Sequence, residues 1–222
     1  MMTPVQRADC YNCAFPLRPP LSTYKHDGDR FGQWVCGTWA IGACYKNPNP
    51  LYGAYPHGYL ERVHSMFPDV RTILHVFSGG LTKDAAEMAA AKGEATAHEL
   101  PLEVTGPFEI ELVDLHGPEQ GRYPTWQGDV AAMPAEWDGR FDLVLADPPY
   151  SAEDAEKYGT GMVNRGEVTR ALRRVTKLGG NLVWLDQVWP MHRADQWRTW
   201  AQIGLVRSTN HRVRLVSMFE AV

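Results

Sequence analysis

No run of residues in this 222-residue chain approaches the roughly 20 consecutive apolar positions that a bilayer span requires. A charged-then-apolar leader of the secretory kind is also lacking. Together these point to a cytoplasmic protein without a membrane partner. Cysteine is scarce, with four residues in all, and a cytosolic chain keeps such thiols reduced, so a disulfide scaffold is disfavoured. No internal repeat or low-complexity tract is visible. Positive charge is not in excess either: the formal net charge of -4 argues against global electrostatic adhesion to nucleic acid. What is present is a 44% hydrophobic chain, enough for one sizeable α/β domain with a small appendage.

The average charge hides an asymmetry. Between Arg165 and Arg214 stand ten Lys or Arg against Glu167, Asp186 and Asp195, which gives either a basic face or ordinary solvated helix surfaces. The cysteines are just as unevenly placed. Cys10, Cys13, Cys36 and Cys44 all lie within residues 1–50, amid the turn-formers Pro19, Pro20, Gly28, Pro48 and Pro50. That composition marks residues 1–50 as a Cys-rich N-terminal extension and 51–222 as the main domain. A Cys-x-x-Cys pair followed by two more cysteines can surround a zinc ion, with His26 as a substitute ligand. The second pair is spaced too widely for the usual pattern, so buried free thiols are the competing reading.

Along the main domain, strand and helix patterns alternate. Tyr59, Leu60, Val63, Met66 and Phe67 share one face of a short helix closed by Pro68. Residues Thr72 to Phe77 read as a strand that ends in Ser78-Gly79-Gly80, followed by an Ala-rich helix around Ala85 to Lys92. Further strands are expected at Ile110 to Asp114, around Trp126, at Phe141 to Ala146 and at Leu182 to Leu185. Val168, Leu172 and Val175 mark a helix stopping at Gly179-Gly180. Spacing around Trp197 to Trp200 predicts another helix, before Leu205-Val206 and Val213 to Phe219 close the chain as an antiparallel hairpin. Such alternation means a doubly wound, largely parallel sheet. Trp184, Trp189, Trp197 and Trp200 have spacings that favour core packing over base stacking.

The most informative feature is Asp147-Pro148-Pro149-Tyr150, directly after the apolar run Phe141 to Ala146. A buried strand there puts a carboxylate and an aromatic ring at the carboxyl edge of the sheet, where open α/β sheets bind ligands. Each proline fixes its own φ near -65° and lacks an N–H, and Pro148 pushes Asp147 toward an extended conformation. The Asp147 carboxylate and the Pro148 carbonyl thus form a stiff pair of acceptors for the two hydrogens of an amino group. The bland alternative is a strand-ending turn with a packed tyrosine.

Taken together, the glycine turn, the acids ending successive strands and the Asp-Pro-Pro-Tyr corner resemble the class I S-adenosylmethionine-dependent amino-methyltransferases acting on nucleic-acid bases, in the gamma motif order. The resemblance covers about residues 51 to 222. It implies a Rossmann-like α/β fold with a mostly parallel sheet and a closing antiparallel hairpin. It implies S-adenosylmethionine as cofactor, held by Phe77, Ser78, Gly79 and Gly80, with Asp114 at the ribose hydroxyls, Asp129 at the adenine amino group, and Tyr55-Pro56 near the methionine end. Phe77, Gly79 and Gly80 match the family's Phe-x-Gly-x-Gly turn with one residue missing, and either acid also suits a loop or helix cap.

The implied reaction is direct transfer to an exocyclic amine at Asp147, Pro148, Pro149 and Tyr150, with Tyr150 stacking on the base. Adenine N6 in DNA is the first reading, DNA being favoured over RNA. An RNA adenine or guanine amino-methyltransferase is the second, and a noncatalytic nucleic-acid-binding module on the same scaffold is the third. A duplex hides its amines, so the target is flipped out or single-stranded. The loop Ser151 to Met162 is placed to close over that base. Ser208 to Arg212, between the closing strands, is read either as a phosphate grip or as a plain polar turn.

Overall fold

The computed structural model describes residues 2–25, 33–41, 55–96, 106–207 and 213–222. Helix α1 spans Pro4–Ala14. Strands β1 and β2 (Ser22–Lys25, Gln33–Ile41) precede α2 (Tyr59–Met66), β3 (Thr72–Val76) and α3 (Lys83–Thr96). Then come β4 (Glu109–Asp114), β5 (Trp126–Gln127), β6 (Phe141–Ala146), α4 (Ala152–Lys157) and α5 (Arg165–Val175). Strands β7 (Thr176–Asp186), β8 (Trp197–Arg207) and β9 (Val213–Ala221) complete the chain.

Among the described residues, nine strands form one sheet in the order β1-β2-β8-β9-β7-β6-β3-β4-β5. Strands β3 to β7 are mutually parallel, and β9 lies antiparallel between β7 and β8. The expected Rossmann-like α/β sheet with a closing antiparallel hairpin is therefore present in the strand order itself. The chain runs outward from β3 through β4 to β5, then returns to the other side of β3 as β6. That reversal makes the β3–β6 boundary the topological switch point, where the strand ends leave a crevice.

Both faces of the sheet are covered. On one, Tyr11 of α1, Tyr59, Val63 and Met66 of α2 and Ala86 and Ala90 of α3 pack against Ile73, Leu143, Leu145 and Ile203. On the other, Val168, Leu172 and Val175 of α5 join Met133 and Trp137 against Leu74, Val144, Trp184 and Phe219. Helix α5 forms where it does because Asn164 caps the N–H groups of Gly166 and Glu167, while Arg173 and Arg174 face the negative end of its dipole. At the amino ends of the central strands, the Asp142 carboxylate accepts from the Thr72 N–H (3.0 Å), the Thr72 hydroxyl (2.7 Å) and Lys177 Nζ (2.6 Å). This clamps β3, β6 and β7 in register at the end opposite the crevice.

Three features depart from the sequence reading. The segment around Trp197 to Trp200 is strand, not helix. Trp197 and Trp200 are three residues apart and both buried because they enter opposite cores, Trp197 donating to the Thr169 carbonyl (3.0 Å) and Trp200 to Asn181 (3.1 Å). Gly179-Gly180 do not end the α5 helix, which stops at Val175. They lie inside β7, Gly179 at φ 76°, and take up the register shift between β6 and β7. Of the four tryptophans read as core from their spacing, Trp184, Trp197 and Trp200 are core, whereas Trp189 is 46% exposed.

The N-terminal extension is not detached from the sheet. Strand β2 adds in parallel to β8, pairing Val35 with Ala201, and β1 adds antiparallel to β2. Arg7 of α1 is 2% exposed and pairs with Asp69 while donating to the Met66 carbonyl. The Cys-x-x-Cys pair occupies one turn of α1, with Cys10 buried and Cys13 exposed. Burial pushes the Cys10 thiol up to about 11. Cys36 is half-buried, and Cys44 and His26 lie outside the described residues, as does Ser208 to Arg212. Among the described residues, no group of three or more His, Cys, Asp or Glu is placed to hold a metal. In the same set, no helix is long and apolar enough to cross a membrane.

Candidate functional site

The pairing of Val76 with Ala146 sets the next residues, the turn starting at Phe77 and the corner starting at Asp147, side by side at the switch point. The turn is tight. Phe77 has φ 58° and Gly79 φ 57°, and a left-handed phenylalanine persists only where its surroundings hold it there. The Ser78 N–H reaches the Val113 carbonyl (3.1 Å), its carbonyl receives the Leu81 N–H (3.0 Å), and the Gly79 N–H turns toward Asp114 (2.9 Å).

One cleft gathers half of the catalytic and cofactor candidates singled out from the sequence. Phe77, Gly79, Asp114, Asp129, Asp147 and Pro149 all line it. Tyr55, Pro56 and Gly80 line a neighbouring groove with Leu81, between α2 and α3. Ser78 and Pro148 are buried. In the cleft, polar side chains such as Asp114, Arg122 and Asp147 share the wall with the apolar Val130, Pro149 and Val163. That is the usual lining for a flat ring system carrying hydroxyl or amino groups.

Asp114 ends β4 and is 4% exposed. Its Oδ1 accepts from the His116 N–H (3.1 Å) and Arg122 (2.9 Å), and its Oδ2 from the Gly79 N–H (2.9 Å) and the same Arg122 nitrogen (3.0 Å). Asp129 caps the short turn of Val130–Ala132 by accepting the Ala131 N–H (2.9 Å), while its side chain stays exposed. Capping and cleft lining therefore coincide at this residue.

At the corner, the Tyr150 hydroxyl donates to Asp147 Oδ1. The Arg214 guanidinium lies over the Tyr150 ring, 4.6 Å from its centre. Tyr150 is thus tied at its hydroxyl and covered on one face by the guanidinium. Burial raises the Asp147 carboxyl to about 7, and Asp186 adds to the rise. The Tyr150 hydrogen bond and the Arg214 charge pull the other way without cancelling it. Asp186, at the end of β7, is itself buried and paired with Arg165 (2.7 Å).

Several site residues carry no sequence motif. His116 and Arg122 come from the β4–β5 connection, and Tyr158 and Thr160 from the segment after α4. Tyr158 and Thr160 bring the Ser151 to Met162 loop to the cleft, and the Arg122 guanidinium sits 5.7 Å from the Tyr158 ring centre. Tyr55 and Tyr59 stack at 5.5 Å, and burial together with the Asp147 charge raises both phenols well above their ordinary range.

Half of the basic stretch resolves into pairs. Of its ten cations, Arg165, Arg174, Lys177, Arg193 and Arg198 each contact an acid. Three of those acids, Asp138, Asp142 and Glu220, lie outside the stretch and offset three of its seven excess positive charges.

No protein-family profile and no curated protein matches this chain. Among solved structures, the chain is similar to the N-methyltransferase NodS from Bradyrhizobium japonicum WM9. Identity is 15% over 74% of this chain and 93% of that one, with a TM-score of 0.46. It is also similar to 1,6-didemethyltoxoflavin-N1-methyltransferase from Burkholderia thailandensis, solved with S-adenosylhomocysteine bound. Here identity is 10% over 73% and 76% of the two chains, with a TM-score of 0.46. For the antibiotic-resistance methyltransferase Kmr, identity is 15% over 70% and 89%, with a TM-score of 0.39.

Proposed function

We propose that this chain transfers a methyl group from S-adenosylmethionine to the exocyclic amino group of a nucleic-acid base, with adenine N6 in DNA as the preferred target. The observation that supports it is the meeting of the Asp147 corner and the Gly79 turn in one cleft at the switch point. The donor set suits the cofactor: Asp114 and Asp129 for hydroxyl and amino groups, and Val130 and Pro149 for an adenine ring. When bound, S-adenosylmethionine supplies an electrophilic methyl carbon.

The chain's own residues prepare the amine. Its nitrogen lone pair is delocalised into the base ring, so it must be polarised and fixed in place. Among the described residues, Tyr150 occupies Asp147 Oδ1, leaving Oδ2 to accept one amine N–H, while the Pro148 carbonyl accepts the other. The amine loses a proton as its nitrogen gains carbon, and a carboxylate titrating near 7 is matched to receive it. Arg214 over Tyr150 holds that ring in place. Because the cleft is recessed, a base reaches it only flipped out or single-stranded.

The test is incubation with isotopically labelled S-adenosylmethionine and unmodified DNA or RNA, followed by nucleoside identification. Label in N6-methyl-2′-deoxyadenosine from DNA is the expected result. Label only in RNA moves the target to the other polymer, and no label in either refutes methyl transfer to nucleic acid.

A further inference from the structure

Asp114 has no acceptor capacity to spare. A carboxylate offers about four lone-pair sites, and four hydrogen bonds already fill them, from the Gly79 and His116 N–H groups and twice from one Arg122 nitrogen. The two backbone donors belong to the glycine turn and the β4 end, and they hold the carboxylate in position. The guanidinium is the movable partner. It comes from the β4–β5 connection, just after Gly121, which has φ 71°. Its side chain is 13% exposed against 4% for Asp114.

We infer that Arg122 is a built-in competitor for the ribose-binding carboxylate, so that it sets the affinity and selectivity of the donor site. This rests on the methyl-donor reading of the cleft. A ligand with one hydroxyl can replace only one of the two bonds that Arg122 makes. A vicinal diol replaces both, one hydroxyl to each oxygen, and so is the neutral group that displaces the arginine without leaving a buried acceptor empty. Displacement also has a second effect. Arg122 lies against Tyr158, so its departure from Asp114 alters the contact between the β4–β5 connection and the loop after α4. Donor arrival is in this way coupled to the loop placed over the target base.

Calorimetric titration with S-adenosylhomocysteine on the full chain tests this. Arg122→Met keeps the apolar stem and removes every donor, and it should bind about tenfold more tightly than wild type, the equivalent of one lost charge-assisted hydrogen bond. Arg122→Gln, with a neutral donor, should fall between them. Hydrogen exchange on the wild-type protein gives a reading that needs no variant: amides around Arg122 should exchange faster once ligand is bound. Equal or weaker binding by both variants, with the wild type still binding, overturns the competitor role while leaving the donor reading intact. Absence of binding by the wild type and both variants overturns the two together.

Discussion

Replacing Asp147 with Asn should stabilise the protein while silencing it, and the gain should depend on pH. Burial holds the Asp147 carboxyl near 7 against an ordinary 3.8, so the folded state binds a proton that the unfolded state has released between those two values. Folded stability therefore falls as pH rises through that window and stays lower above it. About three units at 1.36 kcal/mol each set a ceiling of about 4 kcal/mol. Partial exposure and the Arg214 charge, which the amide forfeits, reduce the expected gain to about 1–3 kcal/mol on the same conversion. Asparagine keeps an oxygen for the Tyr150 hydroxyl, so packing is preserved. For a chain of this length the melting temperature should rise by roughly 2–4 °C per kcal/mol at pH 8 and hardly change at pH 4. Methyl transfer should drop by about a hundredfold or more, because the amine loses its charged acceptor. Thermal melts of both proteins from pH 4 to 8 check the first claim. A difference in melting temperature that is the same at both ends would refute the buried-carboxylate reasoning.

Other outcomes follow from particular contacts. Gly93→Ala, which in an open helix would gain about 1 kcal/mol, should instead cost about 2 kcal/mol or more. The added carbon would meet His64 Cβ at 2.4 Å and the α2 backbone at 2.9 Å, and urea denaturation reads the loss. Arg7→Ala leaves Asp69 without its guanidinium partner beneath α1 and should cost about 3 kcal/mol in the same assay. His64 is held near 4 and His75 well below 6.5, both by burial. The unfolded chain thus takes up protons that the folded one refuses, and stability should decline as pH falls from about 6.5 toward 4. Measuring this in the Asp147→Asn background removes the opposing carboxyl, and a flat profile there would refute it. Methyl transfer by the wild type should rise with pH through about 7, the ionisation of Asp147, and a rate independent of pH between 6 and 8 would count against that role.

The parts of the fold legible in sequence are those whose signal is local. Apolar runs flanked by turn residues gave β3, β4, β6 and the core of β7, and the Tyr59 to Phe67 face gave α2. Asp147 to Tyr150 was legible because two prolines after a buried strand leave few structural choices. The first half of strand β8 was not, since a sheet buried on both faces erases alternation and lets Trp197 and Trp200 mimic a helical repeat, while its Leu205-Val206 end was. Strand β2 gains its place by pairing Val35 with Ala201, a contact no window of sequence contains. Arg122 was invisible for a similar reason: nothing around Gly121 and Arg122 announces that the chain returns to Asp114.

The Asp142 clamp has a consequence for how such a protein can change. Thr72, Asp142 and Lys177 fasten the three central strands at the rim away from the cleft, so alignment of the cleft rim does not depend on the loops that decorate it. Those loops can lengthen, shorten or be exchanged with the chassis intact. Grafting a foreign β4–β5 or post-α4 loop onto this spine is accordingly a practical route to a differently shaped cleft, with folding and cleft shape separately heritable.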